Sequence, residues 1–213
     1  MNITDLELNY VVGEIVKRLG NDTEKEGILM EASGRHVHLS KECVEALFGK
    51  GYELTKKREL SQPGQYLCEE KVTLIGPKGV LQNVSVLGPA RAETQVELSK
   101  SDAVSIGVNA PVRMSGDTKN SGSVILATKN AVVKLEEGVI AAKRHIHITP
   151  EDAAKYGVKD KEDVKVKVFG ERGLIFDNVA IRVSDKFNTA LHIDYDEANA
   201  CGFTKNMRCQ IIK

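Results

Sequence analysis

Arg35-His36-Val37-His38-Leu39-Ser40 returns as Arg144-His145-Ile146-His147-Ile148-Thr149, with a glutamate shortly after each copy (Glu42, Glu151). The chain holds five histidines, and these two stretches carry four of them. His-x-His between apolar residues reads as a β-strand, whose successive side chains alternate between faces. Both imidazoles of a copy then point one way, and Val37 or Ile146 points the other. Imidazole is a common zinc ligand, so each copy offers two nitrogens to one ion. A lone His-x-His reads more readily as ordinary strand histidines than as a metal site; two copies in a histidine-poor chain shift the reading towards metal.

The repeat extends outward from these motifs. Lys71-Val72-Thr73-Leu74-Ile75, Gly76-Pro77-Lys78-Gly79 and Val80 to Val86 read as strand, tight turn and strand. Val164 to Phe169, Gly170-Glu171-Arg172-Gly173 and Leu174 to Val183 repeat that order, and Asn83-Val84 aligns with Asn178-Val179. Glu42 to Phe48 and Pro150 to Tyr156 read as single helices following each His-x-His strand. The pattern is an internal duplication of about 100 residues per copy. Closing such short strands into barrels removes their exposed edges. The expected fold is mainly β: two tandem, internally duplicated β-barrels with short capping helices, over residues 28–142 and 143–213.

Ahead of the barrels, residues 3–19 read as an amphipathic helix, with Leu8, Val12, Ile15 and Leu19 on one stripe. Thr4 and Glu7 match a capping box, Lys17 and Arg18 suit the last turn, and Gly20 can end it. Asn21 to Gly27 is a polar linker, making 1–27 a separate unit. Such a helix either docks on a partner or packs on its own domain.

At 213 residues and 41% hydrophobic content the chain can bury a core. Thirty basic and 30 acidic residues balance to zero net charge, which gives no electrostatic reason to expect nucleic acid or a membrane surface as partner. No apolar run approaches the roughly 20 residues that span a bilayer, and no secretory signal pattern opens the chain. Cys43, Cys68, Cys201 and Cys209 include no Cys-x-x-Cys pair and read as reduced thiols of a cytoplasmic protein.

The duplication also supplies the missing ligands. Thr94-Gln95-Val96-Glu97-Leu98 aligns with Thr189-Ala190-Leu191-His192-Ile193, and each is followed by Asp102-Ala103 or Glu197-Ala198 and then Gly107 or Gly202. Glu97 and His192 thus occupy equivalent places. The two sets are His36, His38 and Glu97, and His145, His147 and His192. Two histidines with a carboxylate, or three histidines, are three-ligand zinc sets that leave a position open for catalysis. Otherwise Glu97 pairs with an arginine and His192 is a buried strand residue. Gly88-Pro89-Ala90-Arg91 precedes the Glu97 strand closely, so a turn would bring the Arg91 guanidinium to that ligand as an anion clamp. Lys78, at a hairpin tip, could hold a remote phosphate or simply be solvated. No Walker A, Gly-x-Gly-x-x-Gly or Gly-x-Ser-x-Gly pattern occurs.

Taken together, these motifs closely resemble the PduL-type phosphotransacylases, the phosphate propanoyltransferases of bacterial microcompartments. The likeness runs from Arg35–Ser40 through Gln62-Pro63-Gly64-Gln65-Tyr66, Gly76–Gly79, Leu87–Pro89, Arg91, Gln95–Glu97 and Arg113-Met114-Ser115-Gly116. It continues through Arg144–His147, Phe176–Ser184, His192–Asp194 and Asp196–Ala200, covering about residues 28 to 204.

The resemblance implies an acyltransferase of two β-barrels that interconverts acyl-CoA (propanoyl-CoA first of all) plus phosphate with acyl phosphate plus CoA. It implies two Zn²⁺ per chain on the two ligand sets, and Arg91 as the catalytic phosphate-binding residue. Ala32, Ser33, Gly34, Lys78 and Asn199 fall at positions that contact CoA in the family, while some relatives carry arginine where this chain has Ser85. The family's barrels are interleaved, so residues 28–34 pair with the second barrel. A homodimer is implied too. The helix of residues 3–19 resembles an encapsulation segment, implying a microcompartment shell or cargo partner and a microcompartment address. A dinuclear zinc hydrolase acting on thioesters is the rival enzyme, and a zinc-stabilised scaffold the non-enzymatic one.

Overall fold

The computed structural model describes residues 27–212, so the helix expected at residues 3–19 and most of its linker lie outside the described residues. The chain enters through β1 (Ile28–Ser33) and β2 (His36–His38), then α1 (Lys41–Phe48), β3 (Lys56–Glu59), β4 (Tyr66–Ile75), β5 (Val80–Gly88) and β6 (Gln95–Glu97). Next come α2 (Lys100–Ile106), β7 (Val112–Arg113), β8 (Gly122–Ala127) and β9 (Val132–Ala142). The remainder is β10 (His145–Ile148), α3 (Pro150–Tyr156), β11 (Asp163–Val168), β12 (Leu174–Val183), β13 (Ala190–Asp194), α4 (Tyr195–Cys201) and β14 (Arg208–Ile212). No helix among the described residues is long and apolar enough to cross a membrane.

Two closed six-stranded barrels result. One runs β1-β13-β10-β12-β11-β14 and back to β1. The other runs β4-β5-β2-β6-β9-β8 and back to β4, with β3 and β7 as edge additions. The two match strand for strand. β2 is parallel to β5 and antiparallel to β6, as β10 is to β12 and β13. β6 lies parallel to β9, as β13 does to β1.

That match reveals a reciprocal exchange. β1 and β9 hold equivalent places, yet each closes the barrel whose other strands come from the opposite copy. A simple halving therefore misplaces β1, which is a stave of the barrel formed by the C-terminal strands. The physical reason is the parallel β1–β13 pairing, which sets Glu31 against His192 and leaves the chain to cross directly into β2 in the other barrel.

Strand alternation decides what faces where. Val37 and Ile146, the central residues of the two motifs, are wholly buried in separate apolar cores. Val84, Val86, Val96 and Leu126 surround the first, and Ile181, Leu191, Ile193 and Val166 the second. The imidazoles consequently face out of the barrels. Each motif ends on a helix cap: Ser40 Oγ accepts from Cys43 N at 3.1 Å, and Thr149 Oγ1 from Asp152 N at 3.1 Å. Pro150 occupies the first turn of α3, where its missing N–H costs nothing. The repeated asparagines have a backbone reason as well. Asn83 and Asn178 adopt φ of 57° and 53°, at register shifts in the β4–β5 and β11–β12 pairs. Asparagine tolerates this left-handed conformation at a bulge better than most residues.

Leu191 packs at the centre of the C-terminal barrel with no exposed surface. Leu191→Ala should cost about 3 kcal/mol through lost burial and the cavity left behind. Denaturant unfolding checks this; a loss under about 1 kcal/mol would show that the core collapses around the gap.

Candidate active site

Between the barrels lies a cavity of about 770 Å³, lined from both sides. His36, His38, Glu97 and Arg91 enter it from one barrel, and His145, His147, His192 and Arg182 from the other. Cross-strand register makes the first triad: His36 sits directly opposite Glu97, with Nε2 and Oε2 3.4 Å apart. The candidate ligand atoms of His36, His38 and Glu97 all lie within 4.8 Å of one another. His36 Nδ1 lies 2.8 Å from the Gly34 carbonyl, which can only accept, so Nδ1 bears a proton and Nε2 is the ring atom turned towards Glu97. Glu97 Oε1 accepts from Gln95 Nε2 at 2.6 Å and from Ser115 Oγ at 3.2 Å, which orients that carboxylate.

The same register builds the second triad, with His145 opposite His192. Its ring centroids are 4.6, 4.7 and 5.2 Å apart, and His147 Nδ1 approaches His192 Nε2 to 3.1 Å. His145 Nδ1 donates to the Lys143 carbonyl at 2.8 Å, reproducing the His36–Gly34 contact. Glu31, paired with His192 across β1 and β13, holds Oε2 3.6 Å from His192 Nδ1 and accepts from Ser61 Oγ at 2.5 Å. Gln62 reaches over from the other barrel, its Nε2 3.0 Å from the Asn188 carbonyl and 3.2 Å from His192 Nε2.

Electrostatics keep His38, His145, His147 and His192 neutral. Burial, with His36 and Arg91 adding to it, lowers the His38 pKa to about 2. Burial and the neighbouring His192 bring His147 to about 2 and His145 to about 4. Burial and Arg182 bring His192 to about 4. The residues fit a metal ion: neutral imidazoles present lone pairs, a carboxylate supplies charge, and buried His38 Nδ1 has no hydrogen-bond partner among the described residues. An unpartnered buried polar atom is costly, and a cation suits this donor set.

Arg91 stands beside the first triad. Its backbone N–H donates to the Leu39 carbonyl at 2.9 Å, tying the turn to the end of the His-x-His strand. Its side chain reaches Ser115 Oγ at 3.4 Å. Burial lowers its pKa although Glu97 opposes the shift, and Arg182 lowers it further. Of the sequence-expected CoA contacts, Ala32, Ser33 and Gly34 line the cavity, whereas exposed Lys78 and Asn199 do not. Sequence reasoning assigned no role to Glu31, Gln62, Ser115, Phe187 or Arg182. A signal was present for two of them: pairing opposite a ligand or beside a His-x-His strand marks Glu31 and Arg182.

Candidate catalytic groups thus converge from two strand-exchanged barrels, and similarity to known proteins places the chain among acyltransferases. The chain belongs to the phosphate propanoyltransferase family, whose model matches residues 29–204. It is 55% identical over 207 residues to the phosphate propanoyltransferase of Clostridioides difficile strain 630, covering 97% of each chain. It is 54% identical over 213 residues to that of Enterococcus faecalis V583, covering all of both. With the Thermotoga maritima MSB8 enzyme of that name it shares 55% over 178 residues, which is 83% of this chain and 85% of the relative.

The depressed histidine pKa values make folding pH-dependent. An unfolded histidine titrates near 6.5, so below that pH the unfolded chain takes up protons which His145 and His192 refuse until about pH 4. The unfolded state binds more protons across this window, so stability falls as pH falls. Thermal melts of metal-free protein should drop steadily from about pH 7 to about pH 5. A flat Tm there would mean that these imidazoles are not held neutral.

Proposed function

We propose that the chain interconverts acyl-CoA, with propanoyl-CoA the preferred substrate, and phosphate with acyl phosphate and CoA, using zinc held at two sites. His36, His38 and Glu97 would hold one ion, and His145, His147 and His192 the other. The observation that carries the reading is the convergence of neutral, buried imidazoles, Glu97 and Arg91 on one cavity between the barrels. Bound zinc would supply Lewis acidity and positive charge for an anionic reactant.

The remaining work falls to the chain's own residues. The Arg91 guanidinium binds phosphate and restrains one oxygen towards the thioester carbonyl, turning an encounter between two solutes into a positioned attack. A phosphate oxygen forms the new bond to carbon, the carbon–sulfur bond breaks, and the electron pair leaves on the CoA sulfur. Ser115 and Gln95 hold Glu97 in place while this occurs. Ala32, Ser33 and Gly34 offer a wall for the CoA chain at the cavity's edge. An acyl-cysteine route finds no support. All four cysteines are buried, and desolvation pushes the thiols of Cys68 and Cys209 up to about 11 and about 12.

The family resemblance also supports a homodimer, and residence in a bacterial microcompartment reached through residues 3–19. Lys78 and Asn199 remain proposed CoA contacts on that resemblance alone.

Release of CoA thiol from propanoyl-CoA, followed with and without phosphate and before and after chelation, tests the reading. Thiol release should require phosphate and stop on chelation. Phosphate-independent release of free acid would identify a thioester hydrolase instead. Arg91→Ala should lower turnover by about 100-fold or more with zinc content unchanged. Wild-type rates in that variant would remove Arg91 from phosphate binding.

A further inference from the structure

Arg35, Arg58, Arg91 and Arg182 line the cavity, and Arg144 is the counterpart of Arg35 in the other copy. Arg35 and Arg144, which precede the two motifs, are each committed to an acidic partner on a neighbouring helix: Arg35 to Asp102, and Arg144 to Glu197 at 2.7 Å. These pairs are equivalent in the two copies and serve the architecture. Arg58, Arg91 and Arg182 form no ion pair among the described residues; Arg58 is exposed, whereas half-buried Arg91 and Arg182 stand beside the triads, next to His38 and His147.

Arg182 has no counterpart in the other copy. It pairs across β10 and β12 with His147, and the matching register in the other barrel brings Leu87 beside His38. The side chain is also held in place. Phe187 stacks on His147, with centroids 4.1 Å apart and planes 29° from parallel, and carries the Arg182 guanidinium 5.8 Å from its own centroid. A guanidinium packed over an aromatic face keeps its fork orientation and its hydrogen-bonding edge free.

We infer that Arg182 is a second phosphate-binding residue of the reaction, closing with Arg91 on the same phosphate from the opposite barrel. The inference rests on the phosphate acyltransferase reading above. Two half-buried guanidiniums repel each other and create a site that favours a doubly charged anion over a singly charged one. The carboxylates that line the cavity are engaged elsewhere: Glu97 accepts from Gln95 and Ser115 and faces His36, and Glu31 accepts from Ser61. Because the two arginines come from different barrels, phosphate binding would also join the barrels across the cavity.

Steady-state kinetics on metal-loaded Arg182→Ala, Arg182→Lys and wild-type protein test this, with phosphate and propanoyl-CoA varied separately. In Arg182→Ala the KM for phosphate should rise by about 10- to 100-fold, the KM for propanoyl-CoA should stay within about twofold, and Arg182→Lys should fall between. Calorimetric titration of inorganic phosphate should show the same weakening without turnover, and metal content should match wild type. An unchanged phosphate KM, or a rise confined to propanoyl-CoA that would place Arg182 on the CoA phosphates, would overturn the inference. Failure of wild type to require phosphate would instead overturn the underlying functional reading. If Arg182→Ala does not fold, the phosphate KM and calorimetry of Arg182→Lys decide the matter.

Discussion

A β-strand sends alternate side chains to opposite faces, and that constraint places the chemistry of this protein. With Val37 and Ile146 drawn into separate apolar cores, the flanking imidazoles have only the outer barrel surface to occupy. Those outer surfaces meet. The short links from β1 to β2 and from β9 to β10 carry the chain across the junction just before each motif, so the histidines stand where the barrels face each other. Exchange of β1 and β9 reinforces the arrangement, since neither barrel closes without a strand from the other copy.

Duplication then explains both what the two pockets share and where they part. Each has a His-x-His strand, a third candidate ligand directly opposite its first histidine, and a backbone carbonyl beside that histidine's Nδ1. That third residue is Glu97 in one pocket and His192 in the other. Where the carboxylate ligand is absent, a carboxylate returns one strand away: Glu31 pairs with His192, while wholly buried Ile140 pairs with Glu97. Each triad thus has one carboxylate within reach. In metal sites such an outer carboxylate orients a histidine and raises its basicity.

Charge within the cavity is arranged by desolvation more than by ion pairing. Burial is the largest influence on His38, His145, His147 and His192 alike, and it holds them as neutral donors. The same burial raises the pKa of all four cysteine thiols. Arg91 is also pulled down by burial. Arg35 and Arg144 are paired with Asp102 and Glu197, while Arg91 and Arg182 line the cavity without an ion pair among the described residues.

Much was legible in the chain itself. Period-two alternation around His36–His38 and His145–His147, and the spacing of Glu97 and His192 in the repeat, marked the residues that the strand register sets together in the cavity. Turn and cap residues marked the helices at Lys41–Phe48 and Pro150–Tyr156, because those signals act over a few neighbouring residues. No local pattern decided which copy completes which barrel, an expectation that came from the family resemblance alone: β1 can pair with either set of strands on local grounds, and its parallel register with β13 chooses. Tertiary structure also decided the company kept by the triads. Glu31, Gln62, Phe187 and Arg182 are distant in sequence from the groups they meet, and contacts of that kind depend on barrel closure and packing, which no local pattern encodes.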